Sequence, residues 1–497
     1  MSKKYLYSAS VQGIQSFIFQ TNKLKEIAGA SELVEQLSTR DTLKHVLGTA
    51  FNKENLIVAA AGKIKYLCDD LAACEKLCQY MPIYVSQEAP GLQLSQSVVL
   101  VDGAFKEEHY SRSEQALDQK RAFIGRPNTE GWMIADRAPQ TGKPIYEYLK
   151  KEALDRAQVL KRNIVSPGEK TSLATKLLDD LDKEFPTELS KLTAKDDNWL
   201  AVIYADGNDL GIKIPDLLKE REKTLGSYQK ASREFSEGLE NANVEAFKKA
   251  TAVLITHLEE GGELEIDKDT GKYKLPLRPI ICGGDDLVVV IQARYALFFC
   301  ETYLSVFEEE TKQKIDERLT ACAGIAYMNV KYPFHYGFKL AKDLCSHAKN
   351  NSRGKGDEKG TTPASISFHK IETSFIRKYA EIEEEEIKYK DISAQPYFLY
   401  AKTGSSLEVL KKRLALLSQK DEKMKALSSR LRTVLGTVNQ RTEDELLLDL
   451  DRVYQLYKRE LDMLYDGLDG LLDIIKGSYD LIALKSLKSV IYKPQNK

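Results

Sequence analysis

Apolar and polar positions change period several times along this chain, and the changes come in the same order twice. Residues 4–9 form a short run with strand character, and residues 12–22 and 30–49 then show apolar residues at helical spacing. Two strand-like runs, 56–60 and 64–68, flank the turn Ala61-Gly62-Lys63; 71–81 is helical again and 92–101 reads as a strand. The order β-α-β-β-α-β is ferredoxin-like. It recurs downstream: a strand over 199–205, helical stretches of which 235–258 is the clearest, a hairpin over 280–291, a helix over 294–315, a strand over 319–327, a helix over 336–349 and a strand over 364–368. Laid side by side, Lys4-Tyr5-Leu6-Tyr7-Ser8-Ala9 parallels Ala201-Val202-Ile203-Tyr204-Ala205-Asp206, and the segment from Ile57 to Ile64 parallels Ile281 to Val288. We read this as a distant internal duplication. It sets Ala9 at the place of Asp206 and Ala61-Gly62-Lys63 near that of Asp285-Asp286.

The remaining segments are of another kind. Residues 104–197 contain helical stretches, a Gly/Pro/Thr-rich segment at 125–144 and an expected exposed loop at 161–170 around Ser166-Pro167-Gly168. After residue 368 the pattern turns strongly helical. The acidic run 381–389 reads as a solvated helix face, and 407–435 and 443–475 as long amphipathic helices packed in a bundle. The expected fold class is α+β: two ferredoxin-like domains at 1–103 and 198–370, joined by a largely helical linker at 104–197 and followed by a helical domain at 371–497.

Composition narrows the function classes. The 497 residues suffice for two to four domains, with 42% hydrophobic and 30% charged residues, as in soluble globular proteins. A formal net charge of −1 argues against bulk electrostatic grip on long nucleic acid. The seven cysteines form no CxxC pair and no spacing suited to zinc, and their odd number without a signal peptide points to a reducing cytoplasm. No apolar run reaches the length of a membrane span.

Chemistry concentrates at Gly283-Gly284-Asp285-Asp286, at the turn of the second-copy hairpin. Adjacent carboxylates at a tight turn repel each other, and a hard divalent cation relieves the repulsion. In a ferredoxin-like sheet the first strand lies beside the central hairpin, so Asp206, which ends its strand, is expected to face Asp285 and Asp286. Taken alone, Asp206 reads equally as a turn or cap residue; with the double Asp it completes a two-metal site of the kind that activates a hydroxyl and balances a leaving pyrophosphate. Backbone N–H groups from Gly207 to Gly211, through Asn208 and Asp209, are placed to cradle a triphosphate. Lys349 at a helix end reads alone as a cation at a helix C-terminus; its position after the hairpin makes it a γ-phosphate contact.

Asp206-Gly207-Asn208-Asp209-Leu210-Gly211, Gly283-Gly284-Asp285-Asp286, Ala323-Gly324-Ile325-Ala326 and Ala348-Lys349, in this order, resemble the CRISPR polymerase family, the large palm-domain subunit of type III CRISPR effector complexes and its stand-alone relatives. The segment Ser10 to Phe19, followed by Lys23-Leu24 and Gly29-Ala30-Ser31, resembles the start of that family's first, degenerate palm, and Thr141-Gly142-Lys143-Pro144 a segment between its palms. The resemblance covers roughly residues 1–370.

It implies synthesis of a cyclic oligoadenylate or related nucleotide signal from ATP in anti-phage defence, with Mg²⁺ or Mn²⁺ on Asp206, Asp285 and Asp286 and a triphosphate on Lys349, Gly283, Gly284 and the 207–211 loop. The first palm is expected to hold no metal, with Ser10 and Gln12 on the acceptor side. Nucleoside triphosphates are the expected ligands, and effector subunits carrying guide and target RNA the expected partners. The chain departs from the family pattern in three ways. It contains no His-Asp dipeptide, so no HD nuclease is expected; it has no cysteine zinc motif between the palms; and Asn208 stands where relatives often carry an acid. Two rival readings are a templated palm polymerase and a non-catalytic scaffold subunit.

Overall fold

The structure, a computed structural model, describes residues 3–60, 62–122, 135–165, 172–193, 197–355, 361–373, 375–387, 392–401, 405–419, 421–465 and 467–491. Ala61, residues 388–389 of the acidic run, and parts of the 125–144 and 161–170 stretches lie outside them.

The first palm runs β1 (Lys4–Gln12), α1 (Leu24–Leu37), α2 (Arg40–Leu47), β2 (Leu56–Ala60), β3 (Lys63–Cys68), α3 (Leu71–Glu88), β4 (Gln93–Val101) and α4 (Glu107–Ala122). Its sheet has the order β2-β3-β1-β4, antiparallel throughout. The strand expected at 4–9 continues to Gln12, which leaves only Ile14–Ile18 helical in the 12–22 stretch. The helix expected over 30–49 is two helices. Thr39 breaks it with an extended backbone and accepts from Thr42 N at 3.2 Å, capping α2. Tyr7, Ala9, Ile64 and Tyr66 bury one sheet face against Leu43, Val46, Leu77 and Met81. The other face is covered by α4, where Ser113 meets Ser8 and Ser97.

The linker departs from expectation at Lys161. It lies in the helix Arg156–Asn163 rather than in an exposed loop, and it is buried. Its ammonium donates to Phe17 O at 2.7 Å and sits 3.8 Å from the Phe17 ring centre, which compensates its desolvation.

The second palm repeats the order with β5 (Trp199–Gly207), α5 (Leu210–Leu225), α6 (Tyr228–Glu260), β6 (Leu277–Gly283), β7 (Asp286–Gln292), α7 (Ala293–Ile315), β8 (Ala321–Asn329), α8 (Phe334–Ser352), β9 (Ser365–Lys370) and β10 (Tyr397–Phe398). The sheet order is β6-β7-β5-β8-β9-β10, with β8 and β9 parallel across the α8 crossover. Residues alternate along β5: Ala201, Ile203 and Ala205 join the core under α6 and α7, while Val202 and Tyr204 pack with Phe338, Ala341 and Leu344 of α8. The ladder carries one register shift, between Pro279 and Ile281 of β6, and both faces are covered, consistent with the α+β reading.

The palms are joined directly. Phe19 stacks on Phe338 at 4.2 Å, Asn22 Oδ1 accepts from Phe334 N at 3.0 Å, and Ser31 bonds Ile280 O. Lys176 of the linker binds Glu35 at 2.8 Å and Glu240 at 2.6 Å, one carboxylate from each palm.

Beyond the palms lie α9 (Leu407–Leu417), α10 (Glu422–Leu435), α11 (Glu443–Tyr465) and α12 (Ser478–Ser486). The expected 407–435 helix breaks at Asp421, which caps α10 through Met424 N at 3.1 Å. The 443–475 helix ends at Tyr465, and Leu471–Ile475 is a separate 3₁₀ segment. Buried Asp480 ties α12 to the sheet edge, accepting from Ala394 N (2.9 Å), Gln395 Nε2 (2.7 Å) and Tyr397 OH (2.7 Å). In the acidic run, Glu385 and Glu386 pair with Arg377 and Ile387 is buried, so its described part is not wholly a solvated face. Among the described residues, no helix is long and apolar enough to cross a membrane.

Candidate functional site

Strand register brings the acids together. β5 pairs with β7 through Ala205↔Leu287, and one step further along the ladder sets Asp206 opposite Asp286. On its other side Asp206 pairs with Cys322 of β8. The hairpin closes at Gly283↔Asp286, which puts Gly284 and Asp285 at the turn, with Gly284 at φ +60°. Only a residue without a Cβ takes that conformation without strain, which accounts for the second glycine of the motif.

The hairpin is pinned from behind. Asn243, fully buried in α6, donates to Gly284 O and Asp286 O, each at 3.1 Å, and accepts from Tyr303 OH at 2.9 Å. Tyr204 OH donates to Asp286 Oδ1 at 3.1 Å. Sequence reasoning passed over both residues. Their signal was present: an Asn on the apolar face of a long helix, and a Tyr two residues before the strand-end acid.

Lys349 reaches the site from α8. Its ammonium bonds Asp206 Oδ2 and, at 2.6 Å, Gly207 O. Gly324 makes this approach possible, since a Cβ there would run into the backbone of Ala341 and Cys345 where α8 crosses β8. The Ala323-Gly324-Ile325-Ala326 segment thus serves helix-on-strand contact.

Burial, and then the charges of Asp286 and Asp206, push the Asp285 carboxyl up to about 7. Burial and the charge of Asp206 raise Asp286 also, against the pull of the Tyr204 hydrogen bond and of the Lys63 and Lys349 charges. Three hard oxygen-donor side chains at adjacent strand ends fit an Mg²⁺- or Mn²⁺-type ion. Yet among the described residues no three His, Cys, Asp or Glu side chains close on one point as a metal cage. Lys349 takes one oxygen of Asp206.

The loop after β5 is less open than expected. Asn208 is buried; its N–H goes to Thr320 O at 2.8 Å and its Nδ2 to Thr320 Oγ1 at 2.9 Å, so that N–H is not free for a phosphate. Asn208 Oδ1 is buried without a hydrogen-bond partner. Asp209, at φ +57°, accepts from Thr362 Oγ1. Gly211 lies in the first turn of α5 with open space beside its Cα.

In the first palm the register corrects the sequence alignment by one residue. Its hairpin closes at Ala60↔Lys63, and Lys63 pairs with Ser10. Lys63 therefore occupies the place of Asp286 and Ser10, not Ala9, that of Asp206; side-chain alternation agrees, since Ala9 faces the helical core. Arg121, near the end of α4, donates to Ser10 Oγ at 3.0 Å, as Lys349 near the end of α8 bonds Asp206. Gln12 bonds Ser10 O at 3.2 Å and lines a cavity of about 490 Å³ with Ser16, Gln20, Gln93 and Lys143. The Lys63 charge of the first palm opposes the rise of the Asp286 carboxyl.

Fold and site together define a double-palm protein with its carboxylates on the second palm alone. Residues 199–357 match the family model of the Cas10/Cmr2 second palm domain. Over that segment the chain is similar to the second palm of the Cas10/Cmr2 proteins. The chain is similar in fold to a Csm1–Csm4 cassette solved in complex with cA3, at 13% identity and TM-score 0.56, covering 97% of this chain and 70% of that one. It is also similar to Csm1 of T. onnurineus (13% identity, TM-score 0.53, 99% and 70% covered) and to a Csm1–Csm4 cassette in complex with AMPPNP (13%, 0.51, 96% and 70%). No curated protein matches the chain.

Proposed function

We propose that this chain is a metal-dependent nucleotidyltransferase that joins ATP units, with release of pyrophosphate, into a cyclic oligoadenylate or related signal, within a type III CRISPR-like effector. The observation that carries this reading is the meeting of Asp206, Asp285 and Asp286 at adjacent strand ends, with the Lys349 ammonium beside them. Asp206, Asp285 and Asp286 would hold the divalent ion, whose chemistry when bound is to acidify a ribose hydroxyl and screen phosphate charge. Tyr204 and Asn243 keep Asp286 and the hairpin turn in place. Lys349 is within side-chain reach of a phosphate brought to Asp206, and Gly207 to Gly211 with Gly283 and Gly284 bound the space for it. Ser10 and Gln12, on the facing edge of the first palm, line the acceptor side. The ligands in complex with the similar Csm1–Csm4 cassettes, cA3 and AMPPNP, support an adenylate substrate, and their Csm4 subunit a protein partner of that kind.

The test is incubation of the chain, alone and with its effector partners and target RNA, with Mg²⁺ or Mn²⁺ and each NTP, followed by mass spectrometry. The expected products are oligoadenylates formed from ATP, and the Asp285→Ala/Asp286→Ala double variant should form none. Template-dependent extension of a primer would instead establish a polymerase, and absence of both product and metal-dependent ATP binding a scaffold subunit.

A further inference from the structure

The Lys349 ammonium is held in two places at once, by a carboxylate oxygen of Asp206 and by the carbonyl of Gly207 at 2.6 Å. The side chain is largely shielded, with 16% of its surface exposed against 31% for Asp206. An ion pair in such a setting is screened less than one in open water, so a divalent cation approaching Asp206 competes with a resident monovalent one. The arrangement is built into the backbone: Gly324 lets α8 settle on β8, which carries Lys349 over the end of β5. Arg121 stands over Ser10 at the corresponding place in the first palm, where its other partner is Asp118 of its own helix, at 2.7 Å. A cation at the end of this helix is therefore a feature of both palms, and only in the second does it sit on an acid of the candidate metal site.

We infer that Lys349 is an internal counter-ion that keeps Asp206 from a divalent cation until a triphosphate draws the ammonium away, so that metal and nucleotide enter the second palm together. This rests on the proposed nucleotidyltransferase reading and adds to it a rule of loading. The lysine stem is long and flexible, and its ammonium can turn from Asp206 to a phosphate oxygen without movement of α8. By linkage, whatever ATP adds to metal affinity, metal adds to ATP affinity. The cell's free divalent cations then do not fill the site in the absence of substrate.

The test reads metal affinity, not activity. Mn²⁺ binding to the full chain is measured by calorimetry or electron paramagnetic resonance, with and without ATP, for the wild type and for Lys349→Met, Lys349→Arg and Asp206→Asn. Lys349→Met should bind Mn²⁺ without nucleotide about tenfold more tightly than wild type, and ATP should add less to that affinity than it does in wild type. Lys349→Arg, which keeps the charge, should stay close to wild type; if Lys349→Met folds poorly, an Arg variant with wild-type binding and Lys349→Gln with tighter binding carry the same point. Asp206→Asn should lose the site in each case, which locates the ion. Unchanged or weaker Mn²⁺ binding in Lys349→Met, with the site still dependent on Asp206, overturns the counter-ion role and leaves the proposed function standing. No Asp206-dependent Mn²⁺ binding in any form, with or without ATP, overturns both.

Discussion

The two palms share a strand order and differ at four matched positions. Where the second carries Asp206, Asp285, Asp286 and Lys349, the first carries Ser10, Gly62, Lys63 and Arg121. The scaffold around these positions is alike: a hairpin closed by a two-residue turn, a first strand beside it, and a helix after the fourth strand lying over the strand end. Three changes therefore turn a carboxylate edge into a hydroxyl-and-ammonium edge without altering the fold. The comparison teaches that the palm supplies positions and the side chains at those positions supply the chemistry. The Lys63 charge of the first palm also favours the ionised form of Asp286 in the second.

The most severe way to break the comparison is to give the second palm the first palm's residue. Asp286→Lys should lower oligonucleotide synthesis by about a thousandfold or more, because it removes a candidate ligand and adds a repelling charge. The strand can accept it, since Lys63 stands at the matched place in the first palm. Mass-spectrometric product yield, set against an unchanged circular-dichroism spectrum, checks this. Retention of activity would mean that the matched position carries no chemistry.

A smaller effect is expected behind the hairpin. Asn243→Leu leaves the carbonyls of Gly284 and Asp286 and the hydroxyl of Tyr303 without their partner in a buried setting. The cost should be about 2–4 kcal/mol of stability, read by urea unfolding, together with slower synthesis as the turn loosens. Normal stability with normal activity would remove Asn243 from the site.

Much of this contrast could be read from the chain. The duplicated strand order, the acidic hairpin and the partnership of Asp206 with it follow from period-two alternation and from sheet topology, which are local or nearly so. The one-residue error that matched Ala9 to Asp206 has a physical origin. Both segments are short apolar strands, and nothing in the letters fixes where a ladder begins; the pairing of Ser10 with Lys63 fixes it. Asn243 and Tyr204 left only a local signal, because their roles are hydrogen bonds to backbone or side chains far along the sequence. The burial of Lys161 depends likewise on Phe17, 144 residues away. Helix breaks at Thr39 and Asp421 were legible in kind, as capping residues, but apolar spacing continues across them and hides the break.

The mildest test concerns what the second palm gives up by gathering three acids. Asp285 has its carboxyl raised to about 7 from an ordinary value near 3.8, chiefly by burial and then by Asp286 and Asp206. With the folded pKa above the unfolded one, the native state binds the extra proton between those two values. Stability from this group therefore falls as pH rises through that window, and above about 7 the folded protein carries the whole cost of the ionised carboxyl. Asp285→Asn removes the cost. Free of divalent ions at pH 8, the variant should be more stable than wild type by about 1–2 kcal/mol, and the difference should shrink towards pH 5. A divalent ion reverses the preference, because it favours the ionised form, so wild type alone should gain from metal as pH rises through 7. The matched residue of the first palm is Gly62, which has no side chain to titrate, so the effect belongs to the second palm. Parallel melting curves for the two proteins across this pH range would show that the three carboxylates do not press on one another, and the contrast between the palms would then rest on Lys63 and Ser10 alone.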